Sequence, residues 1–181
     1  MLRFYEVGAM KKPTRPVWTL ALCIALFPPL WAVLAPYIGV RTGAVALICA
    51  GVYNACSEQK RAVRMSLGFL AGDAWAVLAL WIMEKLPWNE NVELFLTLFV
   101  LGGVAVLIAS LLKKVFYLPA WLSGWAIGLT VMAPMGFSAI GTYPLEIAAA
   151  MLVGVWYVGV FIDAIHSLLN RKKSADEEKD R

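Results

Sequence analysis

Charge is scarce in this chain. Only 15% of its 181 residues are Asp, Glu, Lys or Arg, and histidine occurs once. An ordinary soluble domain carries about 25% charged residues, so a chain that is also 61% hydrophobic cannot bury its apolar surface in one soluble core. The lone His166 and the three cysteines, Cys23, Cys49 and Cys56, provide no metal-binding cluster. Cys49 and Cys56 would lie about 10 Å apart on a helix, beyond disulfide reach. The His-Glu-x-x-His, Gly-x-Ser-x-Gly and phosphate-loop patterns are all missing, so metal, serine-nucleophile and nucleotide chemistry lack their parts. An enzyme is not expected, and neither a cofactor nor a nucleic-acid partner is implied.

What the chain has is length of apolar run, with a mean hydropathy of +0.74. Six segments are set off by charge, Pro or Gly: Pro16–Tyr37, Thr42–Ser57, Ala62–Met83, Leu94–Leu112, Ala120–Phe137 and Pro144–Leu169. The first, third, fourth and sixth reach the roughly 20 residues that a helix needs to cross about 30 Å of hydrocarbon. The second and fifth are shorter, and the fifth is broken at Pro134 and Gly136, so each reads as a short tilted span or a re-entrant segment. Pro28-Pro29 inside the first run, and Pro36 after Ala32–Ala35, disfavour cleavage as a signal peptide, and a retained helix is expected.

Basic residues near segment ends stay on the cytoplasmic side. With six crossings, Arg3, Lys11, Lys12 and Arg15, then Lys60, Arg61 and Arg64, then Lys113 and Lys114, then Arg171, Lys172 and Lys173 all fall inside. The net charge of +4 therefore reflects topology. The outer loops hold Arg41, Glu84 with Lys85, Glu90, Glu93 and Glu146. The expected fold is an all-α integral membrane protein of six transmembrane helices with both termini cytoplasmic. Residues 1–15 form an N-terminal segment, 16–169 the membrane domain and 170–181 a charged tail. Trp18, Trp81, Trp88 and Trp121 suit an interfacial aromatic belt.

An offset of 81 residues superposes segments one to three on four to six, pairing Gly43 with Gly124, Ser57 with Ser138 and Trp75 with Trp156. Repeats over 18–83 and 99–164 would form a 3+3 inverted arrangement, which transporters use to set a site near the midplane. Three Gly-x-x-x-Gly pairs, Gly39 with Gly43, Gly68 with Gly72 and Gly124 with Gly128, are candidate helix-packing positions, within the chain or between subunits.

The stretches GAVALICAGVYNAC from Gly43, FLAGDAWAVL from Phe69, YLPAWLSGWAIG from Tyr117 and LEIAAAMLVGVWYVGVFIDA from Leu145 together resemble the bacterial inner-membrane family called domain of unknown function 1097, over roughly residues 18–168. The resemblance implies a topology and a compartment, the bacterial cytoplasmic membrane. It carries over no catalytic residues.

Asp73 is the sharpest single feature. It falls near the centre of the third segment, where a carboxylate costs at least about 2.5–3.5 kcal/mol unless it faces protein, water or a partner. It reads either as a proton-coupling or polar-solute site or as a neutral acid buried between helices. Trp75 and Trp156, equivalent under the offset, would face each other across a constriction or pack as core. Tyr53, Asn54 and Thr130 are candidates to line a polar path or to bond between helices. Asp163 and His166, three apart, share a helix face near the inner end of the sixth segment. The acids at 73 and 163 lie too far apart for a protease dyad. The expected function is a channel or transporter for a small neutral or weakly charged polar solute, working as a homo-oligomer; the alternative is a structural or assembly subunit of a membrane complex.

Overall fold

Hydrocarbon provides no water for backbone N–H and C=O groups, so a crossing segment has to bond within itself. The computed structural model describes residues 15–56 and 62–168, and every regular element among them is helical. They are α1 (Arg15–Leu34), α2 (Val45–Ala55), α3 (Ala62–Lys85), α4 (Glu90–Leu111), α5 (Leu118–Met132) and α6 (Tyr143–Leu168). Pro119 and Pro144 open α5 and α6, where a missing N–H breaks no helical bond. Asn89 caps α4 by accepting from the Asn91 N–H at 3.0 Å.

Five stretches are long and apolar enough to cross a membrane: Trp18–Ile38, Ala62–Lys85, Glu90–Leu111, Leu118–Met135 and Tyr143–Leu168. The second segment departs from expectation, because its helix has only 11 residues, about 16 Å of rise. Gly39, at φ +83, ends a 3-10 turn over Ala35–Ile38, and the chain turns through 40–44 before α2 begins. The Trp31 indole N–H donates to the Gly43 carbonyl at 3.0 Å and ties this turn to α1. The fifth segment leaves α-helix at Met132, just before Pro134, and continues as a 3-10 turn over Ala133–Met135.

Two helix pairs organise the interior. α3 meets α5 through small residues four apart. A Cβ on Gly72 would come within 2.5 Å of the Trp125 nitrogen, one on Gly124 within 2.5 Å of the Phe69 carbonyl, and one on Gly128 within 2.5 Å of the Ala76 methyl. Positions rise together along both chains, so the two helices run parallel. α2 meets α6 in the same sense: Gly154 lies against Ala46 and Cys49, and Gly159 lies 2.7 Å, measured from its would-be Cβ, from the Tyr53 ring. Those two glycines lie within a π-helical stretch, Gly154–Phe161. Bonding from i to i+5 brings residues five apart onto one face, and both turn toward α2.

The core follows α3, with Met65, Phe69 and Ala76 almost wholly buried beside Met132 of α5 and Met151 and Val155 of α6. Thr97, Leu101, Ala105 and Ala109 are the buried ridge of α4. α1 is mostly exposed and meets α6 through Phe27, which sits edge-on to Tyr157 and Phe161.

The ends of the bundle are tied by charge. Arg41 meets Glu146 at 3.0 Å, and its backbone N–H donates to the same carboxylate at 3.0 Å. At the other end the Arg64 guanidinium donates to the Lys113 and Phe116 carbonyls. The basic positions 3, 11, 12, 60, 61 and 171–173 lie outside the described residues.

Candidate functional site

Asp73 is 5% exposed, on the face of α3 that meets α5. The crossing is so close there because Gly72 and Gly124 have no side chains to hold the backbones apart. The Oδ1 atom lies 3.2 Å from where a Cβ on Gly128 would stand, beside the Met132 methyl, and has no hydrogen-bond partner. Arg41 pairs with Glu146, and no cation among the described residues is found against Asp73, whose Oδ1 has no partner. A polar atom enclosed at this depth without a partner is costly. It can accept a hydrogen bond from whatever small donor reaches it.

The two tryptophans do not face each other. Trp75 donates its indole N–H to the Leu101 carbonyl of α4 at 3.1 Å and sits edge-on to Trp121, with ring centroids 5.4 Å apart. Trp156 is 45% exposed and donates to the Ser66 hydroxyl at 3.0 Å. Ser66 precedes Trp75 by nine positions, about 13 Å of helix, so the expected aromatic constriction is not formed. Each indole N–H has instead taken an acceptor on a neighbouring helix, the usual arrangement for a tryptophan buried at one end.

The other expected path residues fall elsewhere. The Tyr53 hydroxyl donates to Asp163, and these two residues with Val160, Ala164 and Ser167 line a cavity of about 200 Å³. His166, half-buried, is one turn further along α6. Asn54 is exposed. Thr130 is exposed too, bonds back to the Ala126 carbonyl at 2.7 Å, and lines an apolar groove of about 330 Å³ between α2 and α5. Of the candidates, Tyr53 and Asp163 are brought together, while Asp73, Trp156 and Thr130 stand apart.

The glycines divide the same way. Gly68, Gly72, Gly124 and Gly128 all serve the α3–α5 crossing within the chain, which removes them as subunit contacts. Gly39 has no atom within 4 Å of its would-be Cβ, and neither it nor Gly43 lies in an α-helix. That pair is a turn, because its first glycine takes the left-handed backbone that ends a helical turn.

Three features escaped the sequence reading. Glu146 joins the loop before α2 to the start of α6, and its carboxylate holds the Arg41 guanidinium above its ordinary range. The polar atoms of Thr97, Trp121 and Trp125 are buried without partners, like that of Asp73. A cavity of about 370 Å³ opens at the end of α3 where Glu84, Glu90 and Glu93 meet Leu80, Leu94 and Ala133. The spacing Glu90, Glu93, Thr97 marks one face of α4 and was the available signal. No group of three or more His, Cys, Asp or Glu that could hold a metal occurs among the described residues.

A family model described as protein of unknown function (DUF1097) matches residues 21–166. No curated protein and no solved structure matches the chain.

Proposed function

The chain belongs to that family, whose description assigns no activity, and from its geometry we propose that it is a membrane channel or transporter for a small neutral or weakly charged polar solute. The observation that carries the proposal is the buried Asp73 oxygen without a partner, held where two helices cross on glycine. A scaffold gains nothing from that arrangement, since an apolar residue would pack there at lower cost. A conduit requires one hydrogen-bonding group at depth and otherwise inert walls.

Six crossings, cytoplasmic termini and the inverted 3+3 repeat belong to the same proposal. In support, an exchange of halves turns the parallel pair α3 and α5 into the parallel pair α6 and α2. The offset carries Asp73 to Gly154, and both lie at those crossings. α2 is short, yet the stretch that contains it meets α6 at Glu146 and again at Asp163, about 25 Å apart along the helix. A single segment touching both levels supports its reading as a crossing. The exposed apolar faces of α1 and α4 suit lipid or a second copy, and a homo-oligomer in a bacterial cytoplasmic membrane is proposed. No catalytic role is assigned to any residue.

The alternative is a structural or assembly subunit without transport activity, and it is favoured by the purely structural bonds of Trp75 and Trp156. Asp73→Asn separates the two readings. Asn keeps the shape but cannot carry a proton, so under the transport reading the variant folds and assembles while solute flux in reconstituted vesicles falls or loses its pH dependence. Unchanged flux per folded protein, with altered thermal stability in detergent, would reject Asp73 as a transport residue and raise the scaffold above the channel; a parent protein with no flux above empty vesicles would reject transport itself.

A further inference from the structure

Among the described residues, six buried side-chain polar atoms have no hydrogen-bond partner, and four of them lie within the bundle, on α3, α4 and α5: Asp73 Oδ1, Thr97 Oγ1, Trp121 Nε1 and Trp125 Nε1. The other two, on Thr42 and Arg64, lie near the ends of the bundle. All four parent residues are at most 7% exposed. Their chemistry is mixed. Both indoles can only donate, a carboxylate oxygen accepts, and a hydroxyl does both. No pair of them bonds to each other, and a small molecule with both capacities is suited to serve them.

Helix contacts set their levels. Trp75 bonds to the Leu101 carbonyl, and the Trp125 ring lies 3.8 Å from a would-be Cβ on Gly102, so this part of α4 is level with the Asp73 region of α3 and with α5 at 125–128. Thr97 precedes Leu101 by one turn on the buried ridge of α4. Glu93 precedes Thr97 by one more turn, and it lines the 370 Å³ cavity with Glu84 and Glu90. Ala133 lines the same cavity, and its neighbour Met132 reaches the Gly128 crossing beside Asp73 Oδ1. From Thr97 to the level of Asp73 is about 9 Å of helix rise, a gap that two or three hydrogen-bonded molecules span.

We propose that a file of water, or of uncharged hydrogen-bonding solutes of similar size, runs between α3, α4 and α5 from the Glu84, Glu90 and Glu93 cavity past Thr97 to Asp73. Buried waters commonly make about three hydrogen bonds to groups that would otherwise go unsatisfied. Thr97 lies between the level of the cavity and that of Asp73, and the Trp125 indole lies at the level of Asp73. The inference rests on the reading of Asp73 as a site, and it adds the route and the chemistry of what travels there.

Hydroxyl-radical footprinting of the intact protein in vesicles tests the route without measuring transport. Met132 and Met151 are both 0% exposed, but Met132 adjoins the proposed file and Met151 belongs to α6, which is not one of its three walls. Radicals form from water, so Met132 is expected to oxidise about tenfold faster than Met151 or more. Equal rates would overturn the file. Thr97→Cys gives a second measurement: a small methanethiosulfonate ethylammonium reagent should modify it from the side of the Glu90 cavity, above the background of the parent, while Ala150→Cys stays inert. An inert cysteine at both positions would likewise overturn it. Fast Met132 oxidation with unchanged Asp73→Asn flux would keep the file and reject Asp73 as the transport residue. Slow oxidation with lost flux would reject the file and keep transport.

Discussion

Gly72→Ala is the smallest change that tests whether backbone contact between α3 and α5 holds the molecule together. The added methyl would stand 2.5 Å from the Trp125 nitrogen and 2.9 Å from the Gly124 carbonyl carbon, with the Trp121 oxygen also inside contact distance. All three atoms are backbone, so no side chain can rotate away, and the helices would have to part by about 1 Å, which forfeits a large share of the dispersion contacts along the seam. Overpacking of this kind costs about 3 kcal/mol at the upper end of its usual range. Helix propensity offsets about 1 kcal/mol of that. The remaining 2 or so kcal/mol corresponds to roughly thirtyfold in the unfolding equilibrium. Gly51→Ala is the control, because Gly51 is also helical but has nothing within 4 Å; it should leave stability unchanged or raise it by up to about 1 kcal/mol. The measurement is unfolding by sodium dodecyl sulfate in mixed micelles, followed by helical circular dichroism. Equal stability of Gly72→Ala and parent, or equal damage from both substitutions, would refute the reasoning.

The remaining expectations concern the ends of the bundle and the central acid. Glu146→Gln should lower the melting temperature in detergent more than Arg41→Gln, because Glu146 also receives the Arg41 backbone N–H and the Thr142 hydroxyl; the reverse order would show that the guanidinium alone matters. Cysteine at Glu90 or Ile140 should react with an impermeant reagent from outside intact cells and cysteine at Lys113 should not, and labelling at Lys113 would exclude six crossings with an inner N-terminus. Asp73→Asn should lose flux without losing assembly, as read in reconstituted vesicles.

Hydropathy made the helices legible, because the free energy of moving a segment into hydrocarbon depends on composition and hardly on neighbours. It located α3, α4 and α6 within a few residues. It overestimated α2, since residues 42–44 are used in a turn that Gly39 and the Trp31 hydrogen bond impose. Gly68, Gly72, Gly124 and Gly128 were legible as packing residues, but not as partners of one another: the same spacing serves a seam within the chain or a contact between chains. Asp73 was legible because depth alone makes an acid conspicuous. The Arg41–Glu146 pair was not, because its residues are 105 positions apart and nothing local distinguishes a paired loop charge from a solvated one. The facing of Trp75 and Trp156 failed for a related reason. An offset relates positions in sequence but does not specify the rotation of either helix, and each indole turned toward an acceptor on another element.

The α3–α5 crossing also constrains how the chain can be made. Gly72 leaves the ribosome 52 positions ahead of Gly124, which at about 5–20 residues per second is several seconds. Through that interval α3 is already in or beside the membrane with its glycine seam open and Asp73 lacking the helix that will enclose it. The two helices that finally pair are also the least apolar of the five long spans, so each enters lipid with the smallest margin and neither can lean on the other at the moment of entry. α4, the most apolar of the five, is synthesised between them. It is the element positioned to anchor α3 in the bilayer until α5 arrives, and a mutation that slowed α4 insertion would lengthen the time that an acid spends unaccompanied at the membrane core.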